Sequence, residues 1–237
     1  MNDPLFQYFY DKRQLPSSDL YYDTGGLKTY RRAPIIPLPP AEKPQALLAD
    51  SLKNRKSSRE FSTRPLLLEE ISTLLFWATG LFKDGDNKNG ALGGHRPYPS
   101  GGGKYPLEFY PVILRCDNIT NGVYHYNVEK HSLENLFWVE KDDLRKGFSV
   151  QHARDAGMVV LVSFIKAKQI VKYGNFSYKL GLVEAGHAGQ NMYLLSSALG
   201  LGCCAWAVKD PLPLNSALAL DGINETVCYA LAVGSIA

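Results

Sequence analysis

The run Gly157-Met-Val-Val-Leu-Val-Ser-Phe-Ile165 constrains the fold more than any other stretch of this chain. It is apolar almost without interruption and of strand length, so it reads as a strand buried on both faces rather than one with a wet side. Phe109 to Cys116 and Gly122 to Asn127 are further β-rich segments, joined by Asp117-Asn-Ile-Thr-Asn-Gly122 as a hairpin connection, and a final strand is expected from about Val227 to Val233. Between these lie helical patterns. A short helix is expected from Gln45 to Asn54. From Leu68, the residues Leu68, Ile71, Leu74, Leu75 and Ala78 fall on one helical face, and the pattern ends near Gly80. Strands interleaved with long helices, together with a hairpin, indicate an α+β fold without the regular alternation of a doubly wound sheet.

The helix expected from about Leu180 to Leu199 contains Gly181, Gly186 and Gly189, each costing about 1 kcal/mol relative to alanine. Close approach of another backbone at Gly181, Ala185 and Gly189, spaced by four, would offset that cost, and a subunit interface is one such partner.

With 237 residues and 45% hydrophobic content, the chain can bury a substantial core, and one compact domain is expected from residue 51 to 237. Residues 1–50 read as an arm: Phe6, Tyr8, Phe9, Tyr10, Tyr21 and Tyr22 crowd a polar stretch, followed by prolines at 34, 37, 39, 40 and 44. Proline-rich chain is extended, so the aromatics are expected to lie across another surface. A formal charge of +3 is too small a bias to indicate nucleic acid. No apolar run approaches a membrane span and the N-terminus lacks a signal-peptide pattern, which gives a cytoplasmic expectation. Cys116, Cys203, Cys204 and Cys228 have no disulfide or zinc spacing and read as reduced thiols. The five histidines show no metal-ligand pattern, so no metal is expected.

Two segments carry chemistry. Pro99-Ser-Gly-Gly-Gly-Lys-Tyr-Pro106 removes every Cβ from three successive positions, so its backbone N–H groups can approach a flat or anionic ligand; a flexible surface loop has the same composition. It is not a Walker loop, because Gly103-Lys104 is followed by Tyr105 and the position five before Gly103 is Tyr98. Gly200-Leu-Gly-Cys-Cys-Ala205 fits a dinucleotide fingerprint formally, but it follows a helix where that fingerprint requires a strand. The second segment, Asn54-Arg55-Lys56-Ser57-Ser58-Arg59, gathers three cations and two hydroxyls, either as a phosphate clamp or as a solvated basic turn.

Arg55-Lys-Ser-Ser-Arg-Glu-Phe61, then Pro99-Ser-Gly-Gly, then Gly200-Leu-Gly202 after a long helix, in that order and at those separations, resembles the nitroreductase-like flavoenzymes. Within them the chain looks like the SagB-type branch, the azoline dehydrogenases of thiazole/oxazole-modified peptide biosynthesis. The branch-level signals are Gly102-Gly-Lys-Tyr-Pro-Leu-Glu-Phe-Tyr110, Gly122-Val-Tyr-His-Tyr126, and Lys172-Tyr173-Gly174 ahead of Glu184-Ala-Gly-His187. The resemblance runs from about Leu52 to the C-terminus. It implies a central mixed β-sheet surrounded by helices, in a homodimer with FMN at the subunit interface. Arg55, Lys56, Ser57 and Arg59 would hold the phosphate and ribityl chain. Pro99, Ser100, Gly101 and Gly102 would contact the isoalloxazine from the other subunit, with Gln190 and Gly200, Leu201 and Gly202 completing the pocket. Where many relatives present a glycine near the flavin N5, this chain has Ala205-Trp206-Ala207.

By the same resemblance Lys172 and Tyr173 are the catalytic pair; without it they would read as an ordinary surface dipeptide. Oxidising an azoline to an azole removes a hydride from one ring carbon and a proton from the other, so a base must stand beside the flavin. The implied partners are an azoline-containing peptide and a cyclodehydratase. Two other readings stay open: a general NAD(P)H-dependent nitro or quinone reductase, and a non-catalytic subunit of a biosynthetic complex.

Overall fold

A computed structural model describes residues 26–83, 94–138, 148 and 150–236. Seven strands form one sheet: β1 (Ile35–Pro37), β2 (Leu107–Ile113), β3 (Gly122–Asn127), β4 (Ser132–Trp138), β5 (Met158–Ile165), β6 (Leu201–Ala207) and β7 (Glu225–Ser235), in the order β1-β4-β3-β2-β5-β7-β6. The helices are α1 (Leu48–Asn54), α2 (Leu68–Thr79), α3 (Gln151–Asp155), α4 (Ala167–Tyr173), α5 (Ser177–Ala198) and α6 (Leu212–Ala217).

The fold is α+β, but the expected mixed sheet is antiparallel at every pairing of named strands. The reason lies in the last strand. β5 and β6 are joined through α4 and α5 and run in the same direction, yet β7 inserts between them and is antiparallel to both. Parallel pairing survives as isolated bridges, Ser57 with Cys203 and Leu66 with Cys116.

All eight residues of β5 are buried, as its apolar run requires. Met158, Val160, Val162 and Phe164 face the core shared with α2 and α5, while Val159 and Leu161 face the core on the opposite side with Phe148 and Ala153. α2 begins where the Glu70 carboxylate accepts the Leu67 N–H at 2.9 Å, and it stops at Gly80. β2 and β3 pair antiparallel across the expected hairpin connection.

The glycine face of α5 packs within the chain. A Cβ on Gly181 would collide with the Phe164 ring of β5, and one on Gly189 would stand 2.7 Å from Tyr229 Cε1 of β7. The subunit interface expected at Gly181, Ala185 and Gly189 is therefore corrected: these small residues let a helix lie down on aromatic rings of its own sheet. Gly186 meets open space and lies on the exposed face with Leu182 and Val183. The clustered aromatics Phe6 to Tyr22 lie outside the described residues.

The second face of the sheet carries a row of buried charge. Lys168 Nζ donates to Glu108 Oε1 at 2.8 Å, His125 lies between Glu108 and Glu134, and Glu134 accepts the Tyr30 N–H at 2.9 Å. Beside it Lys28 Nζ reaches both Glu225 Oε2 and Tyr110 Oη at 2.6 Å. Each group is paired, as buried charge requires.

Candidate active site

The first cluster forms along β6, an edge of the sheet. Ser57 bridges Cys203, and the Ser58 N–H donates to the Cys203 carbonyl at 2.9 Å, so the segment after α1 lies alongside the edge strand. Tyr193 of α5 fixes it: Tyr193 Oη lies 3.0 Å from Ser57 Oγ and accepts the Ala205 N–H at 2.8 Å, and the Arg55 guanidinium lies 5.5 Å from its ring centre. Glycine at 202 permits this close approach, because a Cβ would stand 2.6 Å from Ile236 Cγ2 and 3.0 Å from Ser58 Cβ. Gly200, at φ 68°, makes the helix-to-strand turn into Leu201, the opposite direction to a dinucleotide-binding turn. The result is a cavity of about 700 Å³ lined by Lys56, Ser57, Ser58, Arg59, Phe61 and Ile236 among others. Lys56, Ser57 and Arg59 are exposed there, and burial together with the Arg59 charge lowers the pKa of His152. The Lys56 and Arg59 cations around an open cavity fit a phosphate group.

The second cluster forms around the glycine segment. Gly103 N–H donates to the Ser100 carbonyl at 3.0 Å, closing a 3₁₀ turn over Gly101–Gly103, and Ser100 Oγ accepts the Tyr105 N–H at 2.8 Å. Gly101 N–H donates to Glu184 Oε1 of α5 at 2.9 Å, and Gln169 Nε2 of α4 donates to the same oxygen at 2.6 Å. Gly102 has φ 63°, and a Cβ there would stand 3.0 Å from Tyr173 Oη and 3.1 Å from Lys172 Nζ. Lys172 Nζ lies 5.4 Å from the Tyr173 ring centre.

The sequence expected bare glycines so that a flat ligand could approach. At Gly101 and Gly102 the missing Cβ atoms instead admit the chain's own Gln169, Lys172 and Tyr173. Exposed area remains nearby: Pro99 and Gly102 are exposed, and Gly103 has open space where a side chain would be.

Lys172 and Tyr173 thus meet Gly102, Ser57 bridges Cys203 of the strand that Gly202 belongs to, and Arg55 lies over Tyr193. The two clusters flank opposite sides of α5. Glu184, which serves one, and Tyr193, which serves the other, are nine residues apart, about 13 Å along the axis and half a turn in rotation. Gln190 sits between them in sequence on the exposed face.

Glu184, Gln169 and Tyr193 were not singled out as site residues from sequence. Glu184 was visible as a carboxylate inside a helical motif, but nothing local says which loop it meets. Cys203 and Cys204 are buried and pack, and burial pushes the Cys203 thiol up to about 12, away from nucleophilic use. Among the described residues no helix is long and apolar enough to cross a membrane.

MJ1384 of Methanocaldococcus jannaschii, whose name places it among the nitroreductases, is 32% identical over 169 residues, 70% of this chain and 80% of its own. The microcin B17-processing protein McbC of Escherichia coli is 31% identical over 120 residues, 47% of this chain and 44% of McbC, so the chain spans less than half of that relative. The E. coli microcin synthetase McbBCD complex with truncated pro-MccB17 bound superimposes with a TM-score of 0.64 at 25% identity, over 79% of this chain and 73% of the matched one. Residues 52–235 match the nitroreductase family, and the chain belongs to that family of flavin-dependent oxidoreductases.

Proposed function

We propose that this protein is an FMN-dependent dehydrogenase that oxidises azoline rings of a peptide to azoles, acting as a homodimer beside a cyclodehydratase. The observation that carries the reading is the seating of Lys172 Nζ and Tyr173 Oη against the bare Cα of Gly102. A surface dipeptide with no task has no reason to be fitted to a left-handed glycine. The likeness to McbC and to a peptide-bound synthetase complex supports a peptide substrate and partner subunits.

FMN, when bound, supplies the acceptor for two electrons. Lys56, Ser57 and Arg59 would grip its phosphate, and Pro99 to Gly102 would face its ring. Because these two groups flank opposite sides of α5, the cation cluster of one protomer and the glycine turn of its partner would together make one pocket. The exposed Tyr178, Leu182 and Val183 of α5 supply apolar area for that pairing. One of Lys172 and Tyr173, in its deprotonated form, would take the single ring proton; Gly102 gives the pair a backbone wall that excludes competing side chains and limits their rotamers.

A second reading, a NAD(P)H-dependent nitro or quinone reductase, is favoured by the longer match to MJ1384. One experiment separates the two. The purified protein is expected to be yellow, to release FMN, and to form azoles from an azoline peptide, with Lys172→Ala still yellow but inactive. Absence of flavin after incubation with FMN overturns both readings, and NAD(P)H turnover with nitroaromatics but none with azolines selects the second.

A further inference from the structure

Glu184 stands where the two chemically active pieces of the second cluster meet. Its Oε1 accepts the Gly101 N–H at 2.9 Å and Gln169 Nε2 at 2.6 Å. Gly101 opens the glycine turn, and Gln169 lies on α4 three residues before Lys172. Gln169 is wholly buried and Glu184 is 3% exposed, so water offers little replacement for either bond. The fit has no slack: a Cβ on Gly101 would lie 3.3 Å from Gln169 Nε2 and 3.3 Å from Leu180 Cδ1. Burial raises the Glu184 pKa, while the Gly101 N–H, Ser100, Gln169 and the nearby His187 pull it back.

We propose that Glu184 is a positioning residue that holds the glycine turn and α4 in one register, so that Gly102 and the Lys172–Tyr173 pair behave as a single unit. One oxygen taking two donors, one from each piece, transmits any shift of the turn to the helix. α4 has a second anchor in the Lys168–Glu108 pair, so loss of the carboxylate frees the turn and the end of α4 nearest Lys172 without releasing the whole helix. The catalytic consequence rests on the azoline dehydrogenase reading; the mechanical coupling does not.

The test combines amide hydrogen exchange on the flavin-free full-length protein with kinetics of the FMN-loaded enzyme. Glu184→Ala is expected to speed exchange about tenfold in both residues 99–106 and 167–176, the loss expected for a buried hydrogen bond. It should lower kcat by about 10- to 100-fold, with KM and flavin content within about threefold of wild type. Glu184→Gln keeps an oxygen for both donors and should restore exchange and kcat. Gln169→Leu should loosen 167–176 and leave 99–106 protected, an independent arm if Glu184→Ala does not fold. Unchanged exchange in either segment of Glu184→Ala overturns the proposal. So does a Glu184→Gln enzyme as impaired as Glu184→Ala, which would assign the effect to charge. A wild-type protein that takes up no FMN or leaves azolines intact defeats the functional reading alone, and the exchange data still decide the coupling.

Discussion

Lys168 Nζ on α4 lies 2.8 Å from Glu108 Oε1 on β2, and this buried ion pair ties the helix bearing Lys172 and Tyr173 to the middle of the sheet. Removing one partner strands the other charge in the interior. Lys168→Met is therefore expected to cost about 3–5 kcal/mol in urea unfolding, far more than loss of an exposed pair such as Lys83–Glu129.

The same row predicts an acid limb. Burial raises the Glu134 pKa, but the hydrogen bond and charge of His125, with Asn127 and Thr29, outweigh it and bring the group from 4.5 to about 2. Stability from Glu134 is thus complete above pH 4.5 and drains away as pH falls toward 2. His125 is shifted upward despite burial, by Glu108 and Glu134, so its contribution is present below its ordinary 6.5 and fades as pH rises through the folded value. Melting temperature against pH should fall below about 4.5, and Glu134→Gln should flatten that fall while lowering the plateau. An unchanged slope would remove Glu134 from the acid transition.

At Gly102, alanine meets two obstacles: φ of 63° and a Cβ placed 3.0 Å from Tyr173 Oη. The conformation alone costs about 1–2 kcal/mol. Gly102→Ala should displace the Lys172–Tyr173 pair and lower kcat for azole formation by about tenfold or more, with flavin content nearly kept. Full activity would show that the tight seating has no catalytic meaning.

The glycines of α5 should separate by environment. Gly186→Ala, in open space, is expected to stabilise the helix by about 1 kcal/mol. Gly181→Ala drives a methyl into Phe164 and should destabilise despite the same gain in propensity. Thermal melts of the two variants should move in opposite directions.

For the cation cluster, Arg59→Ala should weaken FMN retention by about tenfold or more, read as flavin released on dialysis. Equal flavin content would place the phosphate elsewhere.

Much of this architecture was legible in the residues. β5 announced itself because apolar character on both faces leaves one reading, and α2 because its periodicity and its Gly80 stop agree. β4 was not seen. Its alternation is inverted by the buried row, with Ser132 and Glu134 pointing inward where polar residues ordinarily mark the wet face. β6 was taken as a glycine turn followed by packing residues, since Gly, Cys and Ala carry little strand signal. In the site, the composition of the cation and glycine segments was plain. Their supports, Tyr193 and Glu184, were not, because a helix spells out its own periodicity and says nothing of which distant loop each side chain will meet. Glu108, Tyr110 and His125 sat inside the segments that suggested the SagB-type branch, yet their shared place in one charged row exists only once β2 and β3 pair.

The half-turn on α5 between Glu184 and Tyr193 carries a genetic consequence. If each pocket borrows from both protomers, two defective alleles should rescue one another. An Arg59→Ala subunit, assayed after dialysis has stripped its weakly held FMN, and a Lys172→Ala subunit each lack activity alone, and in a mixed dimer one pocket inherits both lesions while the other inherits none. Random reassortment in equal amounts should then return about a quarter of the wild-type rate. Mixtures that stay silent would mean that each polypeptide furnishes a whole pocket by itself.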